Sequence, residues 1–114
     1  MPVSSDEILT QITNAAQDAF KEGWAAVKTY APAEFKKMAL QLADIASNVA
    51  LYEADDTQGY SPATGKILFK MQRQSCEAVL VALTQLTLIA VQKALNAIVK
   101  VLKTAFEGAL AAIL

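Results

Sequence analysis

The residues able to do chemistry are few in this sequence, and none of them lies in a catalytic or metal-binding pattern. The chain has no histidine, which excludes the most frequent general base and metal ligand together with any Ser-His or Cys-His nucleophile. Its four glycines match no phosphate-binding motif. The single cysteine, Cys76, is followed by Glu77, whose charge disfavours the reactive thiolate. We therefore predict a protein that is not an enzyme, with no catalytic residue, no cofactor, no metal site, and Cys76 as a packing residue.

Three carboxylates, Glu53, Asp55 and Asp56, lie close together in the sequence. A calcium loop alternates carboxylates with a glycine and ends in glutamate over about twelve positions, and this run does not. A solvated turn is the simplest interpretation. Crowded carboxylates are the groups of this chain that could titrate near about pH 5–6, so an acid-sensitive contact at this turn is the alternative prediction.

Composition and charge narrow the class of protein further. Of the 114 residues, 54% are hydrophobic and 18% are charged, against about 45–50% and about 25% in an average globular domain. This excess excludes a disordered chain, and a net charge of -1 gives no reason to expect nucleic-acid binding. Residues 1–57 carry four lysines and nine acidic residues, whereas residues 58–114 carry six basic residues and two glutamates. The two halves are therefore expected to pair their opposite charges, within a chain or between chains.

One long helical arm is predicted over residues 4–54. Ser4 and Glu7 are spaced as a capping box, and apolar residues then recur at steps of three and four. The apolar stripe passes Pro32 without a change of phase. The arm is thus either one helix kinked at Pro32, the favoured interpretation, or two helices that meet at a tight turn.

A turn over residues 55–61 and a second arm over 62–114 complete the predicted fold. The turn clusters Asp, Gly and Ser, and Pro62 suits the first position of a helix. Each arm would be roughly 75–80 Å long at 1.5 Å per residue. The prediction is a single all-α domain, 1–114, shaped as an elongated antiparallel helical hairpin. A compact four-helix bundle is the alternative, and it needs another turn near residues 84–96.

The second arm carries more apolar circumference than one neighbouring arm can cover. Two apolar stripes run along it about a quarter turn apart, and a packed helix usually needs an arc of about 100°. Leu40 and Leu51 also lie off the main stripe of the first arm. Such a surface would exceed the few hundred Å² of apolar patch that a monomer tolerates. We therefore predict self-association through Val81, Leu88, Leu95, Val99, Phe106, Ile113, Leu40 and Leu51.

Two features bear on membranes. The longest uncharged run of the second arm, residues 78–92, is too short and too polar to span a bilayer. Lys93, Lys100 and Lys103 lie beside the broad apolar arc, which is typical of a helix lying at a membrane surface, although a solvated stripe on a buried helix is the favoured interpretation. The polar, acidic N-terminus is unlike a secretory signal, so a cytoplasmic protein is expected.

The segment Gln11–Gln17, the tripeptide Ala31–Ala33, Gln41 and Asn48 together resemble the small R-body structural proteins over residues 11–58. Those proteins polymerise into coiled ribbons inside bacteria, which unroll, in some types on acidification, and help to breach a membrane. The resemblance implies a polymer subunit of a bacterial inclusion, with copies of itself and related helical subunits as partners and no active site.

These observations together predict a self-assembling, non-catalytic structural protein that forms a homo-oligomer or polymer. The first alternative is a membrane-active or pore-forming helical protein. The second is a helical adaptor or chaperone that binds a partner helix.

Overall fold

The computed structural model describes residues 4–114, and this part of the chain contains helices and turns but no strand. The all-α prediction is therefore confirmed. The helices are α1 Ser5–Phe20, α2 Trp24–Val27, α3 Ala31–Ala54, α4 Pro62–Leu83, α5 Leu88–Ala105 and α6 Ala109–Ile113, and a 3₁₀ turn at Lys21–Gly23 joins α1 to α2.

Within the described residues, the four long helices α1, α3, α4 and α5 form a bundle in which each packs against two others. α1 lies between α3 and α5, α4 lies on the opposite side between the same two helices, and α6 closes one end over α3 and α4. The bundle measures 45 × 21 × 19 Å, so arms of roughly 75–80 Å do not exist. The elongated hairpin is wrong, and the four-helix bundle is the arrangement found.

The first arm breaks before Pro32 rather than bending at it. α1 ends at Phe20, the next residue, Lys21, adopts a φ of 54°, and the chain then turns through the 3₁₀ segment and α2. Pro32 lies in the first turn of α3, where its missing N–H would have had no helical partner. The kink is therefore wrong, and the alternative of two separate helices is correct.

The second arm is also broken, at two places that its apolar pattern does not reveal. Thr84 ends α4, since its hydroxyl donates to the Leu80 carbonyl at 2.6 Å and accepts from the Leu86 amide at 3.1 Å. Thr87 then caps α5 by accepting from the Ala90 amide at 3.1 Å. The second break separates α5 from α6, and Gly108, the residue before α6, has a φ of 69°.

The predicted turn at residues 55–61 and both predicted helix starts are confirmed. The Ser4 hydroxyl accepts from the Glu7 amide at 3.1 Å, and the Ser61 hydroxyl accepts from the Thr64 amide at 3.2 Å. α4 can then approach α3 and α6 closely because it carries glycine at position 65. A Cβ there would lie 2.9–3.0 Å from side-chain methyl groups of both helices.

Candidate interaction surface

The residues predicted to mediate self-association divide into three groups. Three are buried inside the chain's own core, two are half-buried, and three are exposed. The buried residues are Leu95, Val99 and Ile113. The half-buried residues are Val81 and Phe106, and the exposed residues are Leu88, Leu40 and Leu51. The physical reason for Leu95 and Val99 is that α5 packs against both α1 and α4, and Ile113 is buried because α6 packs against α3 and α4. Most of the apolar arc is thus covered without a second copy.

The segment 71–92 exposes almost no charge. Its two charged residues are Arg73 and Glu77, whose side chains are only 20% and 10% exposed and pair with each other at 3.4 Å between Nε and the carboxylate. The Arg73 guanidinium also donates to the Asn96 amide oxygen of α5. Both charges are thus turned toward the α4–α5 seam, and the solvent side of this segment is left neutral.

One side of α4 presents six exposed, uncharged residues at helical steps of three and four. Two of them are large and apolar: Ile67 is 62% exposed and Met71 is 60% exposed. The others are small or polar without charge. We call this set the α4 surface, and it consists of Ile67, Met71, Gln74, Ser75, Ala78 and Ala82.

Exposed apolar side chains continue from the α4 surface into the connection between α4 and α5. Leu83 and Leu88 are each about half exposed, and Ile89 is 66% exposed. Sequence reasoning singled out Leu88 but missed Ile67, Met71 and Ile89. For Ile89 the available signal was the absence of charge over residues 78–92, which was weighed only as a membrane span. No comparable signal marks Ile67 and Met71.

The opposite charges of the two halves do not meet in ion pairs within the described residues. The ion pairs found there join Lys37 to Glu34 on α3 at 3.0 Å and Arg73 to Glu77 on α4 at 3.4 Å. Each pair lies within one helix.

Cys76 is a buried packing residue on the inner side of α4. Burial, reinforced by the negative charges of Glu34 and Glu77, raises the pKa of its thiol to about 12. The thiol stays protonated over the physiological range, which agrees with the predicted packing role.

The acidic turn holds its central carboxylate in hydrogen bonds. Asp55 accepts from the backbone amide of Thr57 at 3.0 Å and from its hydroxyl at 2.8 Å. These bonds stabilise the ionised form and lower the pKa of Asp55 below its ordinary value. Asp55 therefore does not titrate near about pH 5–6 as the acid-sensitive alternative required, and Glu53 and Asp56 are exposed beside it.

The range 4–114 contains no group of three or more Cys, Asp or Glu side chains placed to hold a metal ion. It also contains no helix with the length and apolar content needed to cross a bilayer.

Comparison with known proteins adds no relative: no family model, no curated protein and no solved structure is significantly similar to this chain. The interpretation of the α4 surface therefore depends on its own chemistry.

Proposed function

We propose that this chain is a non-catalytic structural protein whose copies associate through the α4 surface. Two observations support this proposal: Ile67 and Met71 are more than half exposed, and the solvent side of residues 71–92 is neutral. An exposed stripe of this kind along a 22-residue helix, about 33 Å long, is typical of a surface that a partner covers.

The α4 surface is complementary to itself in an antiparallel arrangement. A two-fold axis placed between positions 74 and 75 sets each large side chain of one copy opposite a small one of the other, as interdigitating helices require. The facing pairs are Gln74 with Ser75, Met71 with Ala78, and Ile67 with Ala82. A single register therefore packs both apolar pairs and places the hydrogen-bonding pair, Gln74 with Ser75, at the centre of the interface.

The same register avoids repulsion between like charges. Lys70, which flanks the α4 surface, would lie opposite Val79 of the second copy rather than opposite another cation. Gln74 and Ser75 can hydrogen-bond across a protein interface, whereas a bilayer would leave them without partners. The polar centre of the stripe thus favours a second copy over lipid as the partner.

A polymer requires a second contact, because a two-fold interface closes at the dimer. Leu40 and Leu51, both exposed on the outer side of α3, supply it in this proposal. The resemblance to R-body structural proteins agrees with such a polymer of identical or related helical subunits.

A membrane-active protein is the second candidate function. The observation that favours it is the apolar connection between α4 and α5, where Leu83, Leu88 and Ile89 are exposed close to Lys93. Co-flotation with vesicles that is lost in Ile89→Glu but kept in Ala78→Glu would favour this candidate over self-association.

The proposal is tested by measuring particle mass with sedimentation equilibrium for a matched pair of variants. Ala78 lies in the α4 surface, and Ala97 is an exposed alanine on the outer side of α5. We expect wild type and Ala97→Glu to associate and Ala78→Glu to be monomeric. A monomeric wild type at every concentration, or equal association of the two variants, would show that the proposal is wrong.

Disulfide trapping tests the register independently. Copies carrying Gln74→Cys are mixed with copies carrying Ser75→Cys, and oxidation is expected to give a crosslinked dimer of the two. Ala97→Cys serves as the control and is expected to crosslink poorly. Equal yields from the control would argue against the two-fold arrangement.

A further inference from the structure

A cavity of about 710 Å³ lies between α4, α5 and α6. Its walls include the apolar side chains of Phe69, Val99, Ile113 and Leu114, all of which belong to the buried core. This volume lies within the range of about 300–1,000 Å³ that is typical of small-molecule sites. The cavity therefore offers apolar walls at its inner side, and the polar side chains of Arg73, Gln74, Gln92 and Asn96 line it as well.

The mouth of this cavity is positively charged. Lys66 and Lys70 line it one helical turn apart and are exposed, and neither takes part in an ion pair with any residue in the range 4–114. The acidic residue in the lining is Glu77, whose charge is matched by Arg73 at 3.4 Å. Two lysine ammonium groups with no ion-pair partner in the range 4–114 thus lie beside the apolar walls of the cavity.

We propose that this cavity binds a free single-chain amphiphile with an anionic head group, such as a medium-chain carboxylate or alkyl phosphate. The alkyl chain would occupy the compartment beside Phe69 and Val99, and the head group would contact the ammonium groups of Lys66 and Lys70. Apolar walls with a few placed polar groups are the usual anatomy of such a site. The lining shares Ile67 and Gln74 with the α4 surface, and its other residues lie outside that surface.

Binding is tested by isothermal titration calorimetry with decanoate below its micelle concentration. Decyltrimethylammonium has the same chain with a cationic head, and acetate has the same head without the chain. We expect decanoate to bind and the other two to bind at least about tenfold more weakly, because the chain and the charge each contribute. Equal affinity for decanoate and either control compound would overturn the proposal.

Two sets of variants locate the site. Lys66→Gln combined with Lys70→Gln is expected to weaken decanoate binding about tenfold, the combined effect of two solvent-facing charges. The matched control, Lys93→Gln combined with Lys100→Gln, removes two exposed charges from α5 outside the cavity lining and is expected to bind as wild type does. An equal loss of decanoate affinity in both double variants would mean that only the net charge of the protein affects binding, which contradicts binding at this cavity.

Ala63 provides a test that leaves both lysines in place. It is exposed and lines the cavity, so Ala63→Trp fills the entrance without disturbing the core. We expect this variant to unfold at the wild-type temperature and to lose decanoate binding. Unchanged decanoate binding by this variant would overturn the proposal. Binding restricted to anionic vesicles in a flotation assay would overturn it too, because the ligand would then be a membrane rather than a free amphiphile.

Discussion

Met71 offers the sharpest test of the proposed pairing because it lies on the α4 surface and contributes little to the chain's own core. Its side chain is 60% exposed, so Met71→Ala is expected to leave the stability of the monomer within about 0.5 kcal/mol of wild type. In the proposed dimer each Met71 packs against Ala78 of the other copy. The variant should therefore weaken association without weakening the fold.

The size of the effect follows from the exposed fraction. Full burial of a methionine side chain is worth about 1.5–3 kcal/mol, and covering the exposed 60% is then worth about 0.9–1.8 kcal/mol. A two-fold dimer contains two such side chains, and alanine keeps its Cβ in contact, so the expected loss is about 2–3 kcal/mol. This corresponds to a dimer Kd about 30- to 150-fold higher than that of wild type.

Sedimentation equilibrium over a range of concentrations measures both dissociation constants, and thermal unfolding followed by circular dichroism checks the fold. Val101→Ala is the control, because Val101 is an apolar residue of α5 that is 40% exposed and lies outside the α4 surface. A Kd for Met71→Ala within about threefold of wild type, about 0.7 kcal/mol, would refute the reasoning. A similar increase in both variants would refute it too.

Three further predictions concern the fold and its titrating groups. Gly65→Ala should lower the free energy of unfolding in urea by about 1–2 kcal/mol, because a Cβ meets methyl groups at 2.9–3.0 Å and overpacking outweighs the gain in helix propensity; unchanged stability would contradict this. Because Thr57 lowers the pKa of Asp55, the stability advantage of wild type over Asp55→Asn should be present above the ordinary pKa of Asp55 and disappear as the pH falls through the lower folded value. An advantage independent of pH would argue against this cause. Cys76, with a pKa of about 12, should react with a thiol reagent only after denaturation, and rapid labelling of the native protein would count against its burial.

The local signals in the sequence were sufficient for several helix ends. Ser4, Ser61 and Pro62 begin helices through hydrogen bonds or backbone geometry confined to a few neighbouring residues, and such interactions can be predicted from spacing alone. Thr84 and Thr87 act in the same local way. They were missed because threonine also occurs inside helices, and nothing in the apolar period changes there.

The candidate surface was harder to predict than the helices. Leu95, Val99 and Ile113 form part of a broad apolar arc in the sequence, and their periodicity correctly indicates a buried side. Periodicity does not say how many helices surround that side. The breaks at 21–30 and 84–87 allow α1 and α4 to cover α5 together, which buries Leu95 and Val99 and leaves the outer side of α4 exposed. Ile113 is buried because α6 packs against α3 and α4.

The amino-acid sequence by itself determined the helical class and the turn at 55–61, because these depend on composition and on contacts between near neighbours. The tertiary structure alone decided which apolar residues remain in solvent, since the exposure of Met71 and the burial of Leu95 both depend on which helices pack against α4 and α5. Such packing joins residues far apart in the chain, and its geometry cannot be obtained from the period of one helix.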